Sequence, residues 1–137
     1  MRKRSITITN FDMRRLRDLL SDREQNGLSD TFVQSLEKEL NRAVLVPPKQ
    51  VPPDVVTMNS MVRIEDCDTG EQMVYTLVFP QESKMEENKI SVLAPIGTAM
   101  LGYRVGDVFE WDVPTGKRRL RIREVLYQPE AAGHFHR

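Results

Sequence analysis

The sequence is short of the features that mark most specialised protein classes. It has one cysteine, Cys67, which cannot form an internal disulfide and fits a reducing compartment. No run approaches the roughly 18 apolar residues of a membrane span, so no spanning helix is expected. The basic start, Met1-Arg2-Lys3-Arg4-Ser5-Ile6-Thr7-Ile8-Thr9, leads into no apolar core or small-residue cleavage site, so a cytoplasmic chain without a secretory leader is expected. Charge excess is missing too. Twenty Lys and Arg balance twenty Asp and Glu, which excludes a uniformly basic nucleic-acid coat and a polyanionic tail. There is no P-loop, no Gly-x-Gly-x-x-Gly and no plausible Ser/His/Asp arrangement, so neither an enzyme nor a cofactor is expected.

The zero total conceals a division along the chain. Residues 1–46 carry a net +2, residues 47–113 a net −6 and residues 114–137 a net +4. Such polarity suggests more than one contact face.

The first block reads as two short helices. Thr9, with Asp12 three residues on, resembles a capping box; Met13, Leu16 and Leu20 then follow at helical spacing, flanked by Phe11 and Leu19, to about Ser21. Asn26-Gly27 breaks the helix. Ser29 is a good second N-cap, with Leu28 and Val33 placed as a hydrophobic staple, and Val33, Leu36, Leu40 and Ala43 or Val44 continue a second stripe. The stripes meet if the helices fold back as an antiparallel hairpin of about 18 to 24 Å. Four of the eight prolines, Pro47, Pro48, Pro52 and Pro53, end the second helix and predict an extended connector.

Strands follow. Met61 to Glu65 and Gln72 to Phe79 alternate around the turn Asp68-Thr69-Gly70-Glu71 and read as a hairpin, the second strand apolar on both faces and hence central. Lys89 to Leu93, Val108 to Val113 and Arg118 to Tyr127 complete the set, with Phe109, Trp111 and Val113 facing inward. In the last strand the apolar phase shifts at Val125, which predicts a bulge or strand end near Glu124. Pro80 to Asn88 is a polar, acidic loop.

Between two of these strands lies Ala94-Pro95-Ile96-Gly97-Thr98-Ala99-Met100-Leu101-Gly102-Tyr103-Arg104-Val105-Gly106-Asp107. Pro95 suits the first position of a short helix, and Gly97 and Ala99 leave room for it to approach the sheet. Gly102 is placed to end the helix in the left-handed conformation, and Gly106-Asp107 turns into the next strand.

This stretch resembles the signature of the C-terminal domain of the Gre transcript-cleavage factors of bacterial RNA polymerase, over about residues 55 to 128. The short hairpin, Val55-Val56-Thr57-Met58-Asn59-Ser60, and Tyr127-Gln128-Pro129-Glu130-Ala131-Ala132-Gly133 look more narrowly like the Rnk, or regulator of nucleoside diphosphate kinase, family. The resemblance implies an α+β chain: a helical hairpin or coiled coil over 1–46, a Pro-rich linker over 47–54, and an FKBP-like antiparallel sheet domain with one short helix over 55–137. It implies a cytoplasmic, non-catalytic transcription regulator whose globular domain binds RNA polymerase and whose hairpin points toward the secondary channel. Competition with Gre factors and an indirect effect on nucleoside diphosphate kinase follow, and a monomer is favoured.

In the Gre factors an acidic pair at the hairpin tip helps hold a second Mg²⁺ in the polymerase active site. Here the tip candidates are Asp22, Arg23 and Glu24, whose spacing departs from Asp-x-x-Glu and whose central Arg23 opposes cation binding. An ordinary solvated connection is the better reading, with Gre-like cleavage as the alternative. Arg119, Arg121 and Arg123 share one face of a strand and are candidates for polymerase or weak nucleic-acid contact, DNA included, against a merely solvated face. His134-Phe135-His136 offers only two ligands and reads as a frayed tail; no metal site is expected. The FKBP-like fold raises peptidyl-prolyl isomerisation as a further alternative, which the scattered aromatic residues do not favour.

Overall fold

The computed structural model describes residues 6–25, 31–113 and 116–135, without the side chains of 23–25, 31–32 and 111–113. Ser29, Leu28 and the Asn26-Gly27 break therefore lie outside the described residues, as do the Trp111 and Val113 side chains.

Two helices, α1 (Asn10–Gln25) and α2 (Thr31–Asn41), follow from the apolar spacing at the start of the chain. Thr9 caps the first: its Oγ1 accepts the Asp12 amide at 3.0 Å. Leu16 and Leu20 from α1 are buried with Val33, Leu36 and Leu40 from α2. The first helix runs a full turn past Ser21, so positions 22 to 24 belong to it rather than to a loop.

The residues flanking this pair form something the helical reading lacks. Strand β1 (Thr7–Thr9) enters α1 and β2 (Val44–Val46) leaves α2, and the two pair in parallel, with Ile8 opposite Leu45. Val44 therefore does not extend the helical stripe; it is exposed on β2, while Ala43 packs on the core. The proline segment is not fully extended. Pro48–Gln50 makes one 3₁₀ turn, closed by the Gln50 amide on the Pro47 carbonyl at 2.9 Å, and Val51 is buried just after it.

The main sheet holds five strands: β3 (Met61–Asp66), β4 (Gln72–Val78), β5 (Lys89–Ser91), β6 (Val108–Val113) and β7 (Gly116–Tyr127), in the order β5-β4-β3-β7-β6. It is mostly, not wholly, antiparallel, because β5 runs parallel to β4. The loop between them makes two 3₁₀ turns, Pro80–Glu82 and Met85–Glu87, and Asn88 takes a left-handed φ of 56°, which returns the chain to the same end of the sheet. The phase shift in the last strand has a register cause. Arg63 pairs with Glu124 but Ile64 pairs with Ile122, so Arg123 is the extra residue of a bulge.

One continuous apolar cluster joins Ile6, Leu16 and Leu36 of the helical half to Val62, Ile64, Leu120 and Ile122 of the sheet. Truncating a side chain in the helical half should therefore weaken the whole. Leu36→Ala is expected to lower stability by about 2–5 kcal/mol within a single urea transition; separate transitions for helices and sheet would contradict a shared core.

Candidate functional site

The Pro95–Asp107 segment builds the seam between the two halves. Helix α3 (Pro95–Met100) starts on Pro95, whose missing amide hydrogen costs nothing at that position. A Cβ at Gly97 would stand 2.2 Å from the Ser91 carbonyl oxygen, so only glycine lets α3 lie this close to β5. Ala99 packs on the core beside it. Gly102 has a φ of +80°, and a Cβ there would also meet Ile6 at 2.7 Å. The Thr7 amide donates to the Gly102 carbonyl at 3.1 Å, and the Gly102 amide donates to Val56 at 2.8 Å. Gly102, which ends α3, is thus wedged between the strand that opens the hairpin and the segment that opens the sheet. Gly106 and Asp107 lead into β6; the Asp107 carboxylate accepts the Arg104 amide at 2.9 Å, and the Gly106 amide donates to Ile122 at 2.8 Å.

Beside this seam lies a buried polar cluster that local sequence spacing does not reveal. Asp12 is 1% exposed, and its carboxylate accepts the Met58 amide at 3.0 Å and the guanidinium of Arg15, one turn along α1, at 2.6 Å. Burial pushes the Asp12 carboxyl above its ordinary value, against the lowering effect of Arg15, the Met58 amide and Thr9. Thr57, next to Met58, donates its hydroxyl to Glu130 at 2.7 Å and sits 2.8 Å from the Ser60 hydroxyl. Burial likewise raises Glu130, and the Asp12 charge adds to that effect. The capping motif located Asp12, and the two family-like segments contain Met58 and Glu130, but nothing in the local spacing links these distant residues to one another.

The described C-terminal segment, as far as Phe135, is docked rather than frayed. Gln128 donates through Nε2 to the carbonyls of Pro52 and Val55, both at 2.8 Å, which fixes the proline segment. The Tyr127 hydroxyl lies 2.7 Å from His134 Nδ1, and Lys49 stands 5.9 Å from the centroid of the Phe135 ring. His136 lies outside the described residues.

The tip candidates stand in the last turns of α1. Asp22 is exposed, and the side chains of Arg23 and Glu24 lie outside the described residues. Positions 22 and 24 are two apart on one helix, and such positions do not share a face. Among the described residues no group of three His, Cys, Asp or Glu side chains is placed to hold a metal ion.

Arg119, Arg121 and Arg123 are all exposed on β7, but carboxylates of neighbouring segments take up much of their charge. Arg119 pairs with Asp68 at 3.2 Å, Arg123 with Glu65 at 3.9 Å and Lys117 with Glu110 at 3.6 Å. Arg118 pairs with Asp66, whose other oxygen accepts the amides of Asp68 and Thr69 at 2.8 and 3.2 Å. The Asp68 amide first, and then Arg118, hold the Asp66 carboxyl below its ordinary value. Arg121 alone of the row has no carboxylate in ion-pair range among the described residues.

This arrangement of hairpin, seam and sheet has counterparts. Residues 4–46 match the family model for the Rnk N-terminus, and residues 51–127 match that for the GreA/GreB transcription elongation factor C-terminal domain. The chain is 40% identical over 136 residues to the regulator of nucleoside diphosphate kinase of Escherichia coli K12, covering 98% of each. It belongs to the Rnk family. A solved neighbour, described as a prokaryotic transcription elongation factor GreA/GreB from Nitrosomonas europaea, superposes with a TM-score of 0.74 at 44% identity, covering 91% of this chain and all of that one. The transcription inhibitor protein Gfh1 of Thermus aquaticus is 37% identical over 102 residues, 73% of this chain and 64% of that protein. This chain thus joins a Rnk N-terminal region to a Gre-type domain, and the Asp12–Met58 contact spans the two matched regions. Among the described residues no helix is long and apolar enough to cross a membrane.

The buried carboxyls give the seam a pH dependence of definite sign. A native pKa above the ordinary 4.5 of Glu130 means that the folded chain binds that proton more tightly than the unfolded one. This contribution is most favourable at acid pH and is lost as pH rises through the native pKa. Glu130→Gln keeps an acceptor for Thr57 and removes the charge. The variant is expected to be more stable than wild type near pH 8, with the gap closing toward pH 4, in urea unfolding at stepped pH. A gap independent of pH would contradict the assignment.

Proposed function

We propose that this protein is a non-catalytic transcription regulator that binds bacterial RNA polymerase near its secondary channel and competes there with Gre elongation factors. In this reading the Gre-type domain, residues 55–137 with an FKBP-like fold, docks on the polymerase. The hairpin, residues 1–46, enters the channel as a short coiled coil, and the segment 47–54 joins the two. The protein acts in the cytoplasm as a monomer, and its effect on nucleoside diphosphate kinase, the activity named in its relative, is regulatory and indirect.

The observation that carries this reading is a Gre-type domain fixed to a hairpin whose helices have only 16 and 11 residues. At 1.5 Å per residue these span about 24 and 17 Å. Metal-assisted hydrolysis by a Gre-like tip needs two carboxylates converging on one cation. Positions 22 and 24 do not share a helical face, which favours occupancy without cleavage. Among the described residues, Tyr103 and Phe109 are buried edge-to-face at 5.9 Å, an arrangement that suits a core rather than an isomerase pocket. The β7 row, largely matched by neighbouring carboxylates, supports at most weak contact with nucleic acid through Arg121.

Stalled elongation complexes test the proposal directly. Added alone, the protein is expected to leave transcript length unchanged; added with a Gre factor, it should suppress cleavage in a dose-dependent way. Strong RNA shortening by this protein alone, abolished by Asp22→Asn, would overturn the non-catalytic reading.

A further inference from the structure

We propose that the groove between α1 and the Phe79–Glu82 turn docks a basic protein segment, one that carries a lysine or arginine beside an apolar side chain. The proposal rests on the polymerase reading for the identity of the partner, and on the groove itself for the chemistry.

Helix α1 has two stripes. One, through Leu16 and Leu20, is buried in the core. The other, Arg15, Asp18, Leu19 and Asp22, follows the i, i+3, i+4, i+7 spacing of a single helical face and looks across to Phe79, Gln81 and Glu82. The space between has a volume of about 810 Å³, within the roughly 300–1,000 Å³ typical of sites that take up a small ligand. Leu19 supplies apolar surface, and Phe79, 7% exposed beneath Arg15, closes the floor.

The charges around that surface are unequal. Arg15 is already engaged: its guanidinium lies 4.2 Å from the Phe11 ring centroid and 4.8 Å from that of Phe79, and it donates to buried Asp12. It therefore forms a fixed wall, with its charge directed inward. The side-chain carboxylates of Asp18 and Glu82 are exposed and make no ion pair or hydrogen bond among the described residues, and Asp22, already engaged, stands beside them on the rim. Two open carboxylates beside an aliphatic surface suit a long cationic side chain, whose stem lies on Leu19 while its head reaches Asp18 and Glu82. The same rim repels nucleic acid and acidic peptides, so the occupant is basic protein. One wall belongs to the hairpin and the other to the loop after β4, so a segment seated here touches both halves of the molecule.

Binding of the full-length protein to core RNA polymerase, followed by fluorescence anisotropy, provides the test. Asp18→Lys combined with Glu82→Lys is expected to weaken binding by about tenfold or more and to flatten its salt dependence. The neutral pair, Asp18→Asn with Glu82→Gln, should weaken it less, and Glu71→Lys, in the exposed β3–β4 turn, should leave it unchanged. The neutral pair guards against misfolding of the reversed variant, and thermal melts check both. Wild-type binding that neither pair alters would overturn the groove proposal and leave the polymerase reading standing. Failure of wild type itself to bind would overturn the polymerase reading and, with it, this occupant.

Discussion

One buried carboxylate, Asp12, organises the junction on which the remaining geometry depends. It sits in the first turn of α1, where a carboxylate also complements the helix dipole, yet its oxygens are spent on the Met58 amide and on Arg15. Removing Asp12 would leave the buried Met58 amide without its acceptor, at a cost of about 1–3 kcal/mol, and would also release part-buried Arg15. Arg15, held by Asp12, is the cation that stacks between Phe11 and Phe79. Thr57, adjacent to Met58, extends the network to Glu130 and so to the C-terminal turn. Hairpin, sheet and chain end thereby converge on a few polar atoms set beside an apolar core.

The charge polarity seen along the chain largely cancels once the chain is folded. The basic closing strand lies beside β3, and the acidic β3–β4 turn supplies partners for Arg118 and Arg119. The exposed Arg119–Asp68 pair contributes little to stability, about 0–1 kcal/mol, whereas Asp66 is buried beneath Arg118. The effect of these pairs is to neutralise a surface that would otherwise attract phosphates without selectivity. The unmatched acidic charge of Asp18 and Glu82 remains at the groove beside α1, next to apolar surface.

Elements with strong local periodicity were legible in the sequence: both helices, the β3–β4 hairpin, the short helix after Pro95 and the bulge in the last strand. The bulge was readable because Leu120 and Ile122 fix one phase and Val125 another. What escaped is non-local. Three-residue strands such as β1 and β2 carry almost no periodic signal, and their pairing joins residues on either side of a helical hairpin. The parallel placement of β5 depends on a loop whose turns are set by Pro80 and by left-handed Asn88, not by apolar pattern. The cation-neutralising contacts of the arginine row and the second partner of Asp12 likewise come from distant segments. The family motif was visible as a string of small residues. Its role as the seat of the N-terminal strand needed Ile6 and Gly102 to be seen together.

That seat bears on how proteins of this architecture can vary. A proline-rich connector invites the picture of two modules on a tether, interchangeable as long as the tether is long enough. Yet the backbone entering the hairpin is hydrogen-bonded to Gly102, with no space for even a methyl group between that glycine and Ile6. The hairpin is therefore inherited together with its footing. A longer or differently tipped hairpin grafted onto this domain must reproduce the register of the strand beneath it, so diversification at the tip is compatible with the fold where diversification at the base is not.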